Sequence, residues 1–172
     1  PPSISLDRYR IFLYRRSLPG QLLIQTLKRP QLTLQMLLDE TGFSRAAFFR
    51  RISALRLYLR KAGVTISLNP LALMGPEARV RQVYRQLLWQ FVDFAHPLFS
   101  EILPQSRQLM RELDKAGLIQ SDFSRAQLLF AANVHLHRLL ANHSIVGTLD
   151  FDELAPRPTL TAALPSAFDN LP

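Results

Sequence analysis

With 172 residues, 48% of them apolar, the chain has material for one or two packed domains; with no cysteine it has none for disulfides, a thiolate metal site or a thiol nucleophile. No run approaches the roughly 18 apolar residues of a membrane span, and no secretory signal pattern is visible. The net charge of +8 is uneven: residues 1–75 hold 12 Lys/Arg against 3 Asp/Glu, residues 76–145 hold 8 against 6, and residues 146–172 hold 1 against 4. A polyanion-binding part is therefore expected in the first segment, joined to a near-neutral one.

In chain order, residues 6–28 read as helix, break, helix, with Leu18-Pro19-Gly20 as the break and Leu22, Leu23 and Leu27 resuming the apolar stripe. Thr33 is placed to cap a short helix carrying Leu34, Leu37 and Leu38, which Thr41-Gly42 stops. Ser44 then caps a longer helix running to about Lys61, with Gly63 as its end. Val64, Ile66 and Leu68 alternate with polar residues, Asn69-Pro70 turns the chain, and Leu71–Met74 returns it as a short hairpin. This order predicts a mainly α protein: a winged helix-turn-helix with a small β-hairpin wing over residues 1–75, followed by an α-helical bundle over 76–145. In the bundle, one helix opens at Gly75-Pro76 and ends by His96-Pro97. A second starts near Pro104 with Leu109 and Leu113 inward. A third runs from about Ser121 to Asn142 with Leu128, Ala132, His135 and Leu139 inward. Residues 146–172 hold four prolines and no long periodicity, and read as a tail or linker.

The stretch FSRAAFFRRISALRLYLRKAG carries six cations and no acid. Helical spacing puts Phe48, Ile52, Leu55 and Leu59 on a core stripe. Opposite lie Ala46, Phe49, Arg50, Ser53 and Arg60, flanked by Arg45 and Arg56. In helix-turn-helix docking the start of the second helix meets base edges. Arg45 and Arg50 sit there, with the guanidinium fork that matches guanine O6/N7. Arg56, Arg60 and Lys61 lie further along, where phosphates pass, and Ser44 opens the helix with free backbone N–H groups. Asn69 marks the wing tip, within reach of the backbone or minor groove. A solvated basic face is the plain alternative; the turn before this helix and the hairpin after it favour double-stranded DNA.

No catalytic pattern is present: there is no Walker, G-x-G-x-x-G, G-x-S-x-G or H-E-x-x-H sequence, so no enzyme and no cofactor are expected. His135 and His137 are two apart, about 200° of helical rotation, and make no metal pair. His135 falls on the expected apolar face, either as a core histidine or as a phosphoryl-accepting regulatory site.

The run TGFSRAAFFRRISALRLYLRKAGVTISLNPLALMGPEARVRQVYRQLLW resembles the Mga-type transcriptional regulators of Gram-positive bacteria. The turn and cap at Thr41–Ser44, the F-F-R-R-I-x-x-L core and the G-P-E-x-R-V-R passage after the wing carry the likeness. The resemblance implies a cytoplasmic regulator that binds promoter DNA, forms a homodimer and has a helical part similar to the phosphotransferase-system regulation domain (PRD). It implies tuning by phosphotransferase-system proteins, with His135 as the phosphorylated residue. Such regulators usually carry further domains on both sides, so a fragment or a shortened relative is expected, in keeping with the Pro-Pro-Ser start. The alternative is a phosphorelay or protein-interaction module whose winged helix docks protein rather than DNA.

Overall fold

A computed structural model describes residues 6–92, 96–100 and 102–143. The segment 146–172, read above as tail or linker, lies outside the described residues. Helix α1 (Leu6–Arg16) gives way at Ser17 to α2 (Leu18–Lys28). The interruption is one residue long, and Pro19 and Gly20 lie inside the first turn of α2 rather than breaking it. Proline is tolerated there because the N–H it lacks would have no helical partner. Ser17 caps the turn by accepting from the Gly20 N–H at 3.2 Å. A Cβ at Gly20 would lie 2.1 Å from the Tyr14 carbonyl oxygen, so the close approach of α1 requires glycine.

Helix α3 (Leu34–Thr41), capped by Thr33, ends at Gly42 in the left-handed region (φ 70°). After the two-residue link Phe43-Ser44 comes α4 (Arg45–Arg51), with Ser44 Oγ accepting from Ala47 N–H at 3.2 Å. The single long helix expected over 44–61 is two. At Ile52 the backbone opens to φ −92°, ψ 4°, and α5 (Ser53–Lys61) follows. The apolar stripe survives the break, since Phe48, Ile52, Leu55 and Leu59 are all buried. Ser53 Oγ donates to the Arg50 carbonyl at 2.8 Å, taking up an acceptor at the opened turn.

Strands β1 (Thr65–Leu68) and β2 (Leu71–Met74) pair antiparallel with Leu68 opposite Leu71, leaving Asn69-Pro70 as the tip. The hairpin lies on the domain. Leu71, Ala72 and Leu73 are buried, and the Leu71 N–H donates to the Leu32 carbonyl. Helix α6 (Glu77–Trp89) starts three residues after β2, and α7 (Leu103–Lys115) and α8 (Asp122–Leu140) complete the chain's described part.

The core is continuous from α2 to α8. Leu22, Leu23 and Leu27 pack with Phe48, Ile52, Leu73, Val80, Tyr84, Phe130 and Val134 in one cluster. Trp89 and Phe99 meet Phe130 edge-on, which places both against the core rather than on an outer face; Phe91 stacks on Tyr14, and Phe94 lies outside the described residues. A smaller cluster of Met110, Leu113 and Ala132 joins α7 to α8, beside a buried pair in which Ser106 Oγ donates to Asn133 Oδ1 at 2.9 Å. The inward face expected for α8 needs correction. Leu128 and Leu139 are exposed, and Phe130, Asn133, Val134, Leu136 and Arg138 are buried instead. This helix is apolar on nearly every side, so periodicity gives no single stripe from which to choose a face.

Tyr84 ties α6 to α2. Its hydroxyl donates to Thr26 Oγ1 at 3.0 Å, and Thr26 in turn donates to the Leu22 carbonyl at 2.7 Å. Burial pushes the Tyr84 phenol up to about 12, against the opposing pull of the Thr26 hydrogen bond, so it remains a donor at neutral pH. Tyr84→Phe is expected to cost about 0.5–1.5 kcal/mol in denaturant unfolding, the usual net worth of one such bond.

Candidate nucleic-acid interface

The helix-turn-helix is α3, the left-handed turn at Gly42 and α4. Of the residues assigned to DNA from the sequence, Ser44, Arg45, Ala46, Arg50, Ser53, Arg56, Arg60, Lys61 and Asn69 are exposed, and Phe49 is half-buried. The break at Ile52 falls between the two groups of cations: Arg45 and Arg50 ride on α4, Arg56, Arg60 and Lys61 on α5. Asn69 stands at the hairpin tip.

Phe49 organises the surface. Its ring packs edge-on against Phe48 and so is anchored to the core. The Arg45 guanidinium lies 5.8 Å from the ring centroid and that of Arg56 lies 5.5 Å from it. Two cations on successive helices are thus held against one aromatic ring. Phe49→Leu keeps apolar bulk and removes the ring. It is expected to lose about 0.5–1 kcal/mol in denaturant unfolding, and a double-mutant cycle with Arg56→Ala should return a coupling of the same size. Arg51 is directed differently, with its guanidinium 4.6 Å above the Phe43 ring, beside the turn.

Several basic side chains elsewhere pair with acids: Arg29 with Glu40, Lys115 with Glu112, Arg125 with Asp114. Among the described residues no carboxylate pairs with Arg45, Arg50, Arg56, Arg60 or Lys61. Helices α4 and α5 therefore present these five charges to solvent with no acidic partner among the described residues.

Residues 3–88 match the family described as the Mga helix-turn-helix domain. The match covers half of the chain. This protein belongs to the Mga helix-turn-helix domain family. Neither a curated protein nor a solved structure matches it. An Mga helix-turn-helix domain points to a DNA-binding transcriptional regulator rather than an enzyme. Among the described residues no helix is long and apolar enough to cross a membrane.

The Mga domain's matched span runs through the wing into α6, and there the structure shows what sequence reasoning missed. Arg79 extends the basic rim beside Lys61: a Cβ on Gly63 (φ 70°) would lie 2.4 Å from the Arg79 Nη1, so glycine leaves room for that guanidinium. Further along, Glu77 takes two buried arginines. Arg81 Nε donates to Glu77 Oε1 at 2.8 Å; Arg138 Nε and Nη2 donate to Oε1 and Oε2 at 2.9 and 2.7 Å. Arg81 is 6% exposed and Arg138 3%. The i,i+4 spacing of Glu77 and Arg81 was readable in the sequence. Arg138, 61 residues from Glu77, carried no local signal.

His135 is half-buried, and its Nδ1 lies 2.6 Å from Arg81 Nη1. A guanidinium only donates, so Nδ1 accepts and the neutral ring carries its proton on Nε2. Burial, then the charges of Arg81 and Arg85, hold the imidazole below its ordinary range against the opposing pull of Glu77. His137 lies on another side of α8, with Nε2 against the Leu98 carbonyl. Among the described residues no group of side chains is arranged to hold a metal ion.

Proposed function

We propose that this chain is a sequence-specific, cytoplasmic regulator of transcription that lays α4 in the major groove of promoter DNA. Arg45 and Arg50 read base edges there, with Ala46 and Phe49 available to a thymine methyl. Ser44 at the helix start and Arg56, Arg60 and Lys61 hold the phosphates, Ser53 closes the base-facing stretch with its hydroxyl proton given to the Arg50 carbonyl, and Asn69 brings the wing tip to the neighbouring backbone or minor groove. The observation that carries this reading is the set of five exposed cations, unpaired among the described residues, on the helices that follow a left-handed turn. On the same reading residues 1–75 form the DNA-binding unit and 76–145 a PRD-like regulatory unit that supports a homodimer. Selection of bound sequences from a random duplex pool tests it. One enriched motif is the expected result, with a second, symmetric half-site for a dimer; a pool that stays random removes the reading.

A second reading takes the chain as a phosphorelay module, with His135 accepting a phosphoryl group from phosphotransferase-system proteins. It draws on His135 lining a pocket; for Nε2 to attack, its proton must move to Nδ1, which releases the Arg81 hydrogen bond. Labelling by those components that vanishes in His135→Ala would support it; labelling unchanged in that variant would exclude His135.

A further inference from the structure

Between α6 and α8 lies a pocket of about 160 Å³ lined by Ala78, Arg81, Gln82, Arg85, Val134 and His135. Every polar side chain among these can donate a hydrogen bond, and none is a carboxylate. The charge around it does not balance. Among the described residues Glu77 is the one acid paired with the buried Arg81 and Arg138, which leaves that cluster of three with one net positive charge. Arg85 adds a second, exposed and with no ion pair among the described residues. A buried cation in excess of its partners is costly unless a further anion compensates it. Arg81 uses three of its five N–H groups, on Glu77, His135 Nδ1 and the His143 carbonyl, and so retains donors for the pocket it lines.

The size restricts the occupant. Pockets for drug-sized ligands run to about 300–1,000 Å³, so this one suits a small ion or the headgroup of a small molecule. Two excess positive charges, a guanidinium fork, an imidazole N–H and an amide match a compact dianion with several acceptor oxygens. A phosphate group at neutral pH, with a charge of about −1.5 to −2, has that form. We propose that the α6–α8 pocket binds a phosphate dianion, either the free ion or the phosphoryl group of a small metabolite, between Arg81, Arg85, Gln82 and His135. The binding is non-covalent and does not rest on the DNA-reading role. Its occupant would sit against α6, the helix that begins three residues after the wing strand β2.

The test is a titration of the full chain with inorganic phosphate, and separately with glycerol phosphate, at constant ionic strength, followed by the His135 ring resonances. A saturable shift is expected. Arg85→Gln, at an exposed position, should weaken it about tenfold, the worth of one charge-assisted contact, while Arg50→Ala leaves it unchanged. Tighter binding of glycerol phosphate would identify an esterified phosphate as the ligand, and tighter binding of inorganic phosphate the free ion. No saturable shift, or a shift of equal affinity in Arg85→Gln, would overturn the proposal.

Discussion

Glu77→Gln is expected to destabilise the protein by about 3–5 kcal/mol, because it removes the carboxylate shared by two buried arginines and leaves both charges without it. The contrast is Glu112→Gln, which breaks a pair with the exposed Lys115 and should cost at most about 1 kcal/mol. Denaturant unfolding of the two variants beside the wild type checks both values. A loss below about 1 kcal/mol for Glu77→Gln would mean that the α6–α8 contact does not depend on this ion cluster.

The same cluster sets a pH dependence. Burial alone would raise the Glu77 carboxyl, but the hydrogen bonds and charges of Arg138 and Arg81 together outweigh it and hold the group below its ordinary 4.5. A carboxylate held low contributes stability that is present above 4.5 and lost as pH falls through the lower folded value. His135 and His143 are both held below their ordinary 6.5, first by burial and then by nearby arginines, Arg81 and Arg85 for the former and Arg138 for the latter. The unfolded chain takes up those protons first, so stability declines as pH drops below 6.5. Two declines are therefore expected on acidification, and Glu77→Gln should flatten the one below 4.5.

On the DNA side, the double variant Arg45→Ala, Arg50→Ala should carry the largest effect. Each bidentate contact to a base pair is worth about 1–3 kcal/mol of discrimination. Losing both is expected to weaken the preferred site by roughly two to four powers of ten relative to unrelated DNA, with folding intact because both positions are exposed. Lys61→Ala should behave differently, weakening all sequences alike and reducing the salt slope by about 1. Binding titrations on the selected site and on a scrambled duplex separate the two behaviours.

What could be read in the sequence was whatever local spacing encodes. Phe48, Ile52, Leu55 and Leu59 lie on one face whether or not the helix is continuous, so the core stripe was legible. Gly42 stops α3 in the left-handed region, and Asn69-Pro70 turns the hairpin, because few other residues suit those positions. The break at Ile52 was not legible, since nothing in Arg51-Ile52-Ser53 disfavours a helix and the opening is a backbone event. The buried face of α8 was misjudged because apolar residues surround it, so its neighbours decide which side is inside. The stacking of Arg45 and Arg56 on Phe49, and of Arg51 on Phe43, needed coordinates: spacing places a cation near a ring but not over it. The Glu77–Arg138 pair was hidden for the simplest reason, the length of chain between its members.

On the proposed reading α4 reads sequence while the basic side chains of α5 hold phosphate. The decisive measurement is the affinity of the wild-type chain for the selected duplex and for a scrambled one across a salt series. Affinity for both should fall with salt, with a logarithmic slope of about −0.9 for each phosphate contact, while the preference for the selected duplex persists at every salt concentration. Equal affinity for the two duplexes throughout the series, or binding indifferent to salt, would contradict it.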